Sequence, residues 1–272
     1  MDKYYFTDTI YLKDSQLYYE DKKTDKKVTK YNWHNLLSDW GWEKLNIRWI
    51  KKLNNYLKEA PKNSQFGVLD CGGDGDCLFH CLAYALKSKD IYDIEKHLDV
   101  SDLRKLVSDS IDYEKYQEII NIYKIFADAD DFDEDWDPHT IDFEEFKEKL
   151  IDGGNNYWGD NILLNILKEK LNINIVILNS NNITNQFNYY PLMYEFDENV
   201  DTIILSYEDE IHFKLIGYFD ETMITCFNKT NIPQEILKMI KFMRKIKKFN
   251  ILHYKYGSSS FSRIIRCWLF AK

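Results

Sequence analysis

Cys77 is the residue around which chemistry can be built. It follows the loop LDCGGDGD, residues 69–76, and precedes the apolar run Leu78 to Leu86, long enough for a buried helix. A thiol at a helix N-terminus meets unpaired amides and the positive end of the helix dipole, which favours thiolate. Gly72, Gly73 and Gly75 let the loop take positive φ and draw its amides together. A row of such amides can hold an oxyanion. A cysteine hydrolase also needs a base for the thiol and a group that orients the base. Taken alone, the stretch fits equally an ordinary glycine-rich loop with a buried helical cysteine.

Six histidines are available as the base. His80 lies three residues past Cys77 on the same helix and points along it. His97 and His139 fall in polar segments, and His34 and His253 in the flanks. His212 alone opens a strand after a tight turn, Glu208-Asp209-Glu210, with apolar residues behind it. No metal or other cofactor is expected. Cys71, Cys77 and Cys81 lack the paired spacing of a zinc site, and no second Cys/His cluster completes one. The acidic stretch Asp128 to Asp137 fails as a calcium loop. Counted from Asp131, its sixth position is Trp136 instead of Gly and its twelfth is Asp142 instead of Glu.

A mixed set of elements must position these groups. Residues 3–30 alternate short β-prone runs around polar breaks, which predicts a hairpin or meander. From Asn32 to Glu59 the pattern is helical, with Leu36, Leu37, Trp40, Trp49, Leu53 and Leu57 as buried positions. Trp33, Trp40, Trp42 and Trp49 anchor this front segment on the core. Pro61 marks a boundary. Beyond the Cys77 helix, Ser101-Asp102 cap a short helix through Val107, and Glu114 to Phe126 forms another. Phe143 to Ile151 ends at Gly153-Gly154. Asp160 or Asn161 opens the next helix, and Ile173 to Leu178 then reads as a buried strand. A polar turn, Asn179 to Gln186, comes before Thr202 to Tyr207 and Ile211 to Phe219, two more strands. Asn231 to Phe249 is an amphipathic helix with Ile236, Leu237, Ile240 and Met243 on one face and lysines elsewhere. The loop GSSS and the apolar run near the C-terminus have no assigned place. The alternation of helix and strand predicts a mixed α/β or α+β domain.

Three motifs resemble those of the ovarian-tumour (OTU) family of cysteine proteases. Asp74-Gly75-Asp76-Cys77-Leu78-Phe79 is similar to the family's nucleophile motif, Trp158-Gly159 with its following helix and strand to a second, and IHFKLIGYF to the histidine strand. They occur in family order across Gln65 to Asp220. The resemblance implies an α+β fold with a small mixed sheet flanked by helices. It places a catalytic domain at 65–220, an N-terminal extension at 1–64 and a basic helical C-terminal extension at 221–272. It implies Cys77 as nucleophile, His212 as base, and Asp74 as third member or loop organiser. Amides around Gly73, Gly75 and Asp76 would form the oxyanion hole, and Trp158-Gly159 would line a channel for a Gly-Gly tail. The implied substrate is ubiquitin or a ubiquitin-like protein and its conjugates, cleaved at the C-terminal glycine. One position departs from the family. Two residues after the histidine, where many members carry Asn, Asp or Glu, stands Lys214, which cannot accept from a ring N–H. Asp74 or another polar group must then orient His212. The alternative is a weak or inactive module that keeps the fold and binds ubiquitin.

The totals agree with an intracellular protein. Five cysteines without a framework spacing, and an opening MDKYYFTDTI without an apolar core, point to a reducing compartment such as the cytoplasm. No run approaches the roughly 18 apolar residues of a membrane span. The net charge of −9 is uneven: Lys238 to Lys272 carry ten basic residues and no acidic one, leaving 26 basic against 45 acidic elsewhere, a net of −19. So acidic a body disfavours nucleic acid and suits a basic protein partner, ubiquitin's basic face included. The Ile-, Lys-, Asn- and Tyr-rich composition points to an AT-rich genome, as in large DNA viruses or in protist or bacterial effectors.

Overall fold

The computed structural model describes residues 3–22, 24–89, 97–130, 132, 134–180, 190–193, 196–209 and 211–250. His253, the GSSS loop, the apolar run near the C-terminus and most of the polar turn after Asn179 lie outside them. The chain begins with β1 (Tyr4–Tyr5), β2 (Ile10–Lys13), β3 (Gln16–Glu20) and β4 (Asp25–Lys27), an antiparallel sheet in sequence order. This is the expected meander. Asp14 and Ser15, both at positive φ, make the tight turn between β2 and β3.

The front segment then departs from a continuous helix. It breaks into α1 (Trp33–Leu36), a 3-10 turn, β5 (Trp42–Lys44) and α2 (Ile47–Asn54). Gly41, at φ +88°, turns the chain so that β5 can pair with β6 (Phe66–Leu69). Gly67 and Gly217 make room for Trp42, whose ring would stand 3.1 and 2.7 Å from a Cβ at those positions. Trp33, Trp42 and Trp49 are buried, and Trp40 stacks on Phe6 at 4.4 Å. The tryptophans anchor the front segment, as expected. Trp42 is carried by the strand β5 instead of a helix, whereas Trp33 and Trp49 lie on α1 and α2.

Five α-helices follow among the described residues: α3 (Cys77–Lys89), α4 (Val100–Asp109), α5 (Tyr113–Asp128), α6 (Phe143–Asp152) and α7 (Asn161–Leu171). The cap of α4 is Asp99 instead of Ser101, in a reciprocal capping box with Asp102. The remaining strands are β7 (Asn174–Ser180), β8 (Tyr190–Met193), β9 (Thr202–Glu208), β10 (His212–Asp220), β11 (Thr222–Ile224) and β12 (Cys226–Phe227), before α8 (Gln234–Asn250). The main sheet runs β5-β6-β10-β9-β7-β8, with β11 beside β10 and β12 beside β9; β7 and β9 are parallel, the other pairs antiparallel.

This sheet is covered on both faces. Ile175, Ile177, Ile203 and Leu205 join the core formed with α3 and its neighbours. Val176, Leu178, Ile204 and Ile216 join a second core with Trp49 and Leu53 of α2 and Ile236, Met239 and Ile240 of α8. Burial on both faces explains the continuous apolar runs Ile175 to Leu178 in β7 and Ile203 to Leu205 in β9. On α8 the buried stripe includes Met239, with Met243 only partly covered. β5 extends the sheet from before residue 65, and β11 and β12 from after 220, so those boundaries do not interrupt it. No helix among the described residues is long and apolar enough to cross a membrane. The architecture is α+β, a mixed sheet between helical layers.

Candidate active site

The site is built where β6 leaves the sheet. Leu69 lies opposite Leu215 of β10, so Asp70 emerges beside the start of that strand. The Gly72 amide donates to Asp70 Oδ1 at 3.1 Å, and the chain then turns through Gly72 (φ +135°), Asp74 (+55°) and Gly75 (+84°). Asp76 donates its N–H to the Gly73 carbonyl at 3.1 Å. Its own carbonyl accepts from His80 at 2.9 Å, the first bond of α3, so Cys77 occupies the first helical position. A Cβ at Gly72 would lie 3.0 Å from the His80 ring, so His80 braces the loop from below.

The start of β10 is clipped onto this turn through Phe213. Its N–H donates to Cys77 Sγ at 3.4 Å, and its carbonyl accepts from Cys81 Sγ at 3.6 Å. The preceding residue, His212, places Nε2 at 3.1 Å from Asp70 Oδ2. An ionised carboxylate only accepts, so Nε2 is the donor in this bond, and in the neutral ring Nδ1 then holds the lone pair. Asp70 thus holds the loop with one oxygen and the imidazole with the other. Cys77 is only 5% exposed. Burial pushes its thiol up; the amides of Phe213 and Leu78 pull it partly back, and the net is raised. The preference for thiolate at a helix N-terminus is therefore outweighed here by desolvation.

The carboxylate that meets the His212 ring is Asp70. Asp70 sits on the His212 ring, whereas Asp74 is exposed and shapes the loop through its positive φ. Lys214 turns to Glu208, Nζ to Oε2 2.8 Å. Burial pulls the Lys214 ammonium down, but Glu208 outweighs it, Asp70 and Glu43 adding, and the net is raised. Sequence reasoning missed Asp70; its signal was a carboxylate ending the strand that leads into the nucleophile loop.

The Trp158-Gly159 segment lies against α3. A Cβ at Gly159 would stand 2.7 Å from Leu78 Cβ and Cδ2. Tyr157 is buried, stacks on Trp136 at 5.9 Å and hydrogen-bonds Tyr123, which also donates to Asp160 Oδ2 at 2.5 Å. Asp160 Oδ1 caps α7 through the amides of Ile162 and Leu163. Trp158 itself is 42% exposed. Trp136, in the acidic stretch before α6, packs on this wall through Tyr157. Gly73 leaves open space above the loop, with nothing within 4 Å of an added Cβ.

A buried thiol at a helix start, under a glycine turn, with the residue after a carboxylate-bound histidine donating to its sulfur, has the groups that thiol hydrolysis requires. The family pattern described as OTU-like cysteine protease matches residues 72–213, just over half of the chain. The chain belongs to that family. A comparison with curated proteins found no match. Similar solved structures include an OTU domain in complex with ubiquitin, 21% identical over 70% of this chain and 90% of that one, TM-score 0.38. Another is the OTU deubiquitinase of Wolbachia pipientis wMel bound to ubiquitin, 15% identical over 58% and 98%, TM-score 0.40. A third is the Hazara virus OTU bound to ubiquitin, 17% identical over 57% and 82%, TM-score 0.34.

Proposed function

We propose that this chain is a thiol-dependent deubiquitinase acting at the C-terminal glycine of ubiquitin or a ubiquitin-like protein. The observation that carries the reading is the bond from His212 Nε2 to Asp70 Oδ2, one residue from the Phe213 amide on Cys77 Sγ. With Nε2 protonated, Nδ1 is the base that takes the Cys77 proton as sulfur attacks the glycine carbonyl. The Asp76 amide is engaged by the Gly73 carbonyl, which leaves the amides of Gly73, Gly75 and their neighbours up to Cys77 as oxyanion donors. The tetrahedral adduct expels the lysine amine, which receives the proton from His212 and leaves a thioester. Water, giving a proton to His212, then cleaves the thioester and releases the ubiquitin carboxylate. Trp158-Gly159 forms one wall of the channel for the Gly-Gly tail. No metal or cofactor takes part in these steps, and the free thiol they need suits a reducing compartment.

Ubiquitin as the substrate is supported by family membership and by the acidic body, which complements a basic partner. A ubiquitin probe with a C-terminal electrophile should label Cys77, and Cys77→Ala should lose both labelling and chain cleavage, while Cys71→Ala keeps them. A folded wild type that is never labelled overturns the reading. The second reading, a weak or inactive ubiquitin-binding module, draws on Lys214 and the raised Cys77 thiol. It expects saturable ubiquitin binding without turnover, unchanged by Cys77→Ala.

A further inference from the structure

Arg104 of α4 lies outside the three motifs, yet it is the buried cation nearest the nucleophile loop. It is 2% exposed. Its Nε donates to Asp76 Oδ1 at 2.6 Å, and Nη2 ion-pairs with the same oxygen. Nη2 also reaches the Tyr157 carbonyl at 3.0 Å and that of Gly75 at 3.5 Å, while Nη1 donates to the Leu150 carbonyl at 3.1 Å. The guanidinium lies over the Phe79 ring, 4.2 Å from its centroid. One side chain therefore ties together the loop, the first turn of α3, the end of α6 and the residue before Trp158. Gly153 makes the space: it sits at φ +66°, and any Cβ there would run into the guanidinium.

Such burial is costly for a cation unless every donor is used, and a lysine cannot reproduce the planar fork. The acceptors are mostly backbone carbonyls on either side of the site, so what the arginine fixes is the path of the main chain. Asp74 and Gly75 stand at positive φ next to it, a conformation that a non-glycine residue holds only when its surroundings determine it.

We infer that Arg104 is a positioning residue for the reaction: it locks Gly75-Asp76 so that the loop amides face the developing oxyanion, and it ties that loop to the Trp158-Gly159 wall. The inference rests on the proposed reading of Cys77 as nucleophile. It separates two properties of the site. Attack on a carbonyl needs the oxyanion donors; alkylation of Cys77 by iodoacetamide forms no oxyanion and needs only the thiol and its base.

Arg104→Lys, checked for folding by circular dichroism and thermal melt, should lower kcat on a fluorogenic ubiquitin C-terminal amide by about 30- to 100-fold. KM and the Cys77 alkylation rate should each stay within about threefold of wild type. If kcat is unchanged, if alkylation falls as far as kcat, or if only KM moves, the assignment is wrong. Should Arg104→Lys fail to fold, Asp76→Asn serves in its place, with a kcat loss of about tenfold and the same two controls. Wild-type turnover tests the proposed function separately. If wild type proves inactive, amide hydrogen exchange decides: residues 72–77 should exchange more than about tenfold faster in the variant, with α5 and β7 unchanged. Equal exchange overturns the inference.

Discussion

At the residue scale, the catalytic question turns on which carboxylate holds His212. Asp70 reaches Nε2 at 3.1 Å while also accepting from the Gly72 amide, so removing it frees the ring and loosens the loop start. Asp70→Ala should lower kcat/KM by about 10- to 100-fold, since the nucleophile, base and oxyanion donors survive. Asp74→Asn, which keeps a side chain tolerant of positive φ, should stay within about threefold. The reverse ranking in steady-state kinetics would return the role to Asp74. The buried thiol sets a second expectation. Its raised pKa means less thiolate near neutrality than an ordinary cysteine has, so Cys77 alkylation should be slow at pH 7 and climb through pH 9 and beyond. A plateau already reached by pH 7 would mean a preformed thiolate. The linkage runs the same way. An acid whose pKa is higher in the folded chain adds stability below its unfolded value, about 8.5, and that contribution is lost as pH rises above it.

At the element scale, the site is the meeting of α3, the start of β10 and the wall before α7. Two features hold them in contact: the Phe213 backbone between Cys77 and Cys81, and the missing side chain at Gly159. Gly159→Ala drives a methyl to 2.7 Å from Leu78, which is fully buried and cannot yield. Overpacking of this kind costs about 1–3 kcal/mol. The wall should shift as well, so kcat/KM should fall while far-UV dichroism stays native. Wild-type turnover in a clearly destabilised Gly159→Ala would detach the wall from the site.

At the scale of the whole molecule, β5 of the front flank and β11 and β12 of the rear one are parts of the main sheet. Trp33 and Trp42 lie in the core beneath the nucleophile helix, Trp49 and Leu53 in the core on the other face, and β5 covers the edge of β6. Each such aromatic side chain contributes roughly 3–5 kcal/mol relative to alanine, a large part of a domain's net stability. A chain beginning at residue 65 should therefore show no cooperative thermal transition. A sharp melt near that of the full chain would make the front segment dispensable.

Much of the site was legible in the sequence because it depends on backbone geometry set by neighbours in the chain. Glycines at 72, 73 and 75, a cysteine before an apolar run, and a histidine opening a strand are local signals, and the loop, α3 and β10 formed where they predicted. Apolar runs announced β7 and β9 for the same reason: the middle of a strand covered on both faces is apolar, with the polar side chains toward its ends. The partners of side chains were not legible. Asp70 and His212 are 142 residues apart, and only the pairing of Leu69 with Leu215 sets one carboxylate against that ring. The same register, with Ser206 opposite Lys214, leaves the lysine to Glu208 and keeps it off the imidazole. Trp42 looked helical until the room above Gly67 and Gly217 claimed it for the sheet edge. Sequence alone determined which backbone turns could do chemistry. Tertiary structure decided which charges meet there, because strand register and packing bring together groups that the chain keeps far apart.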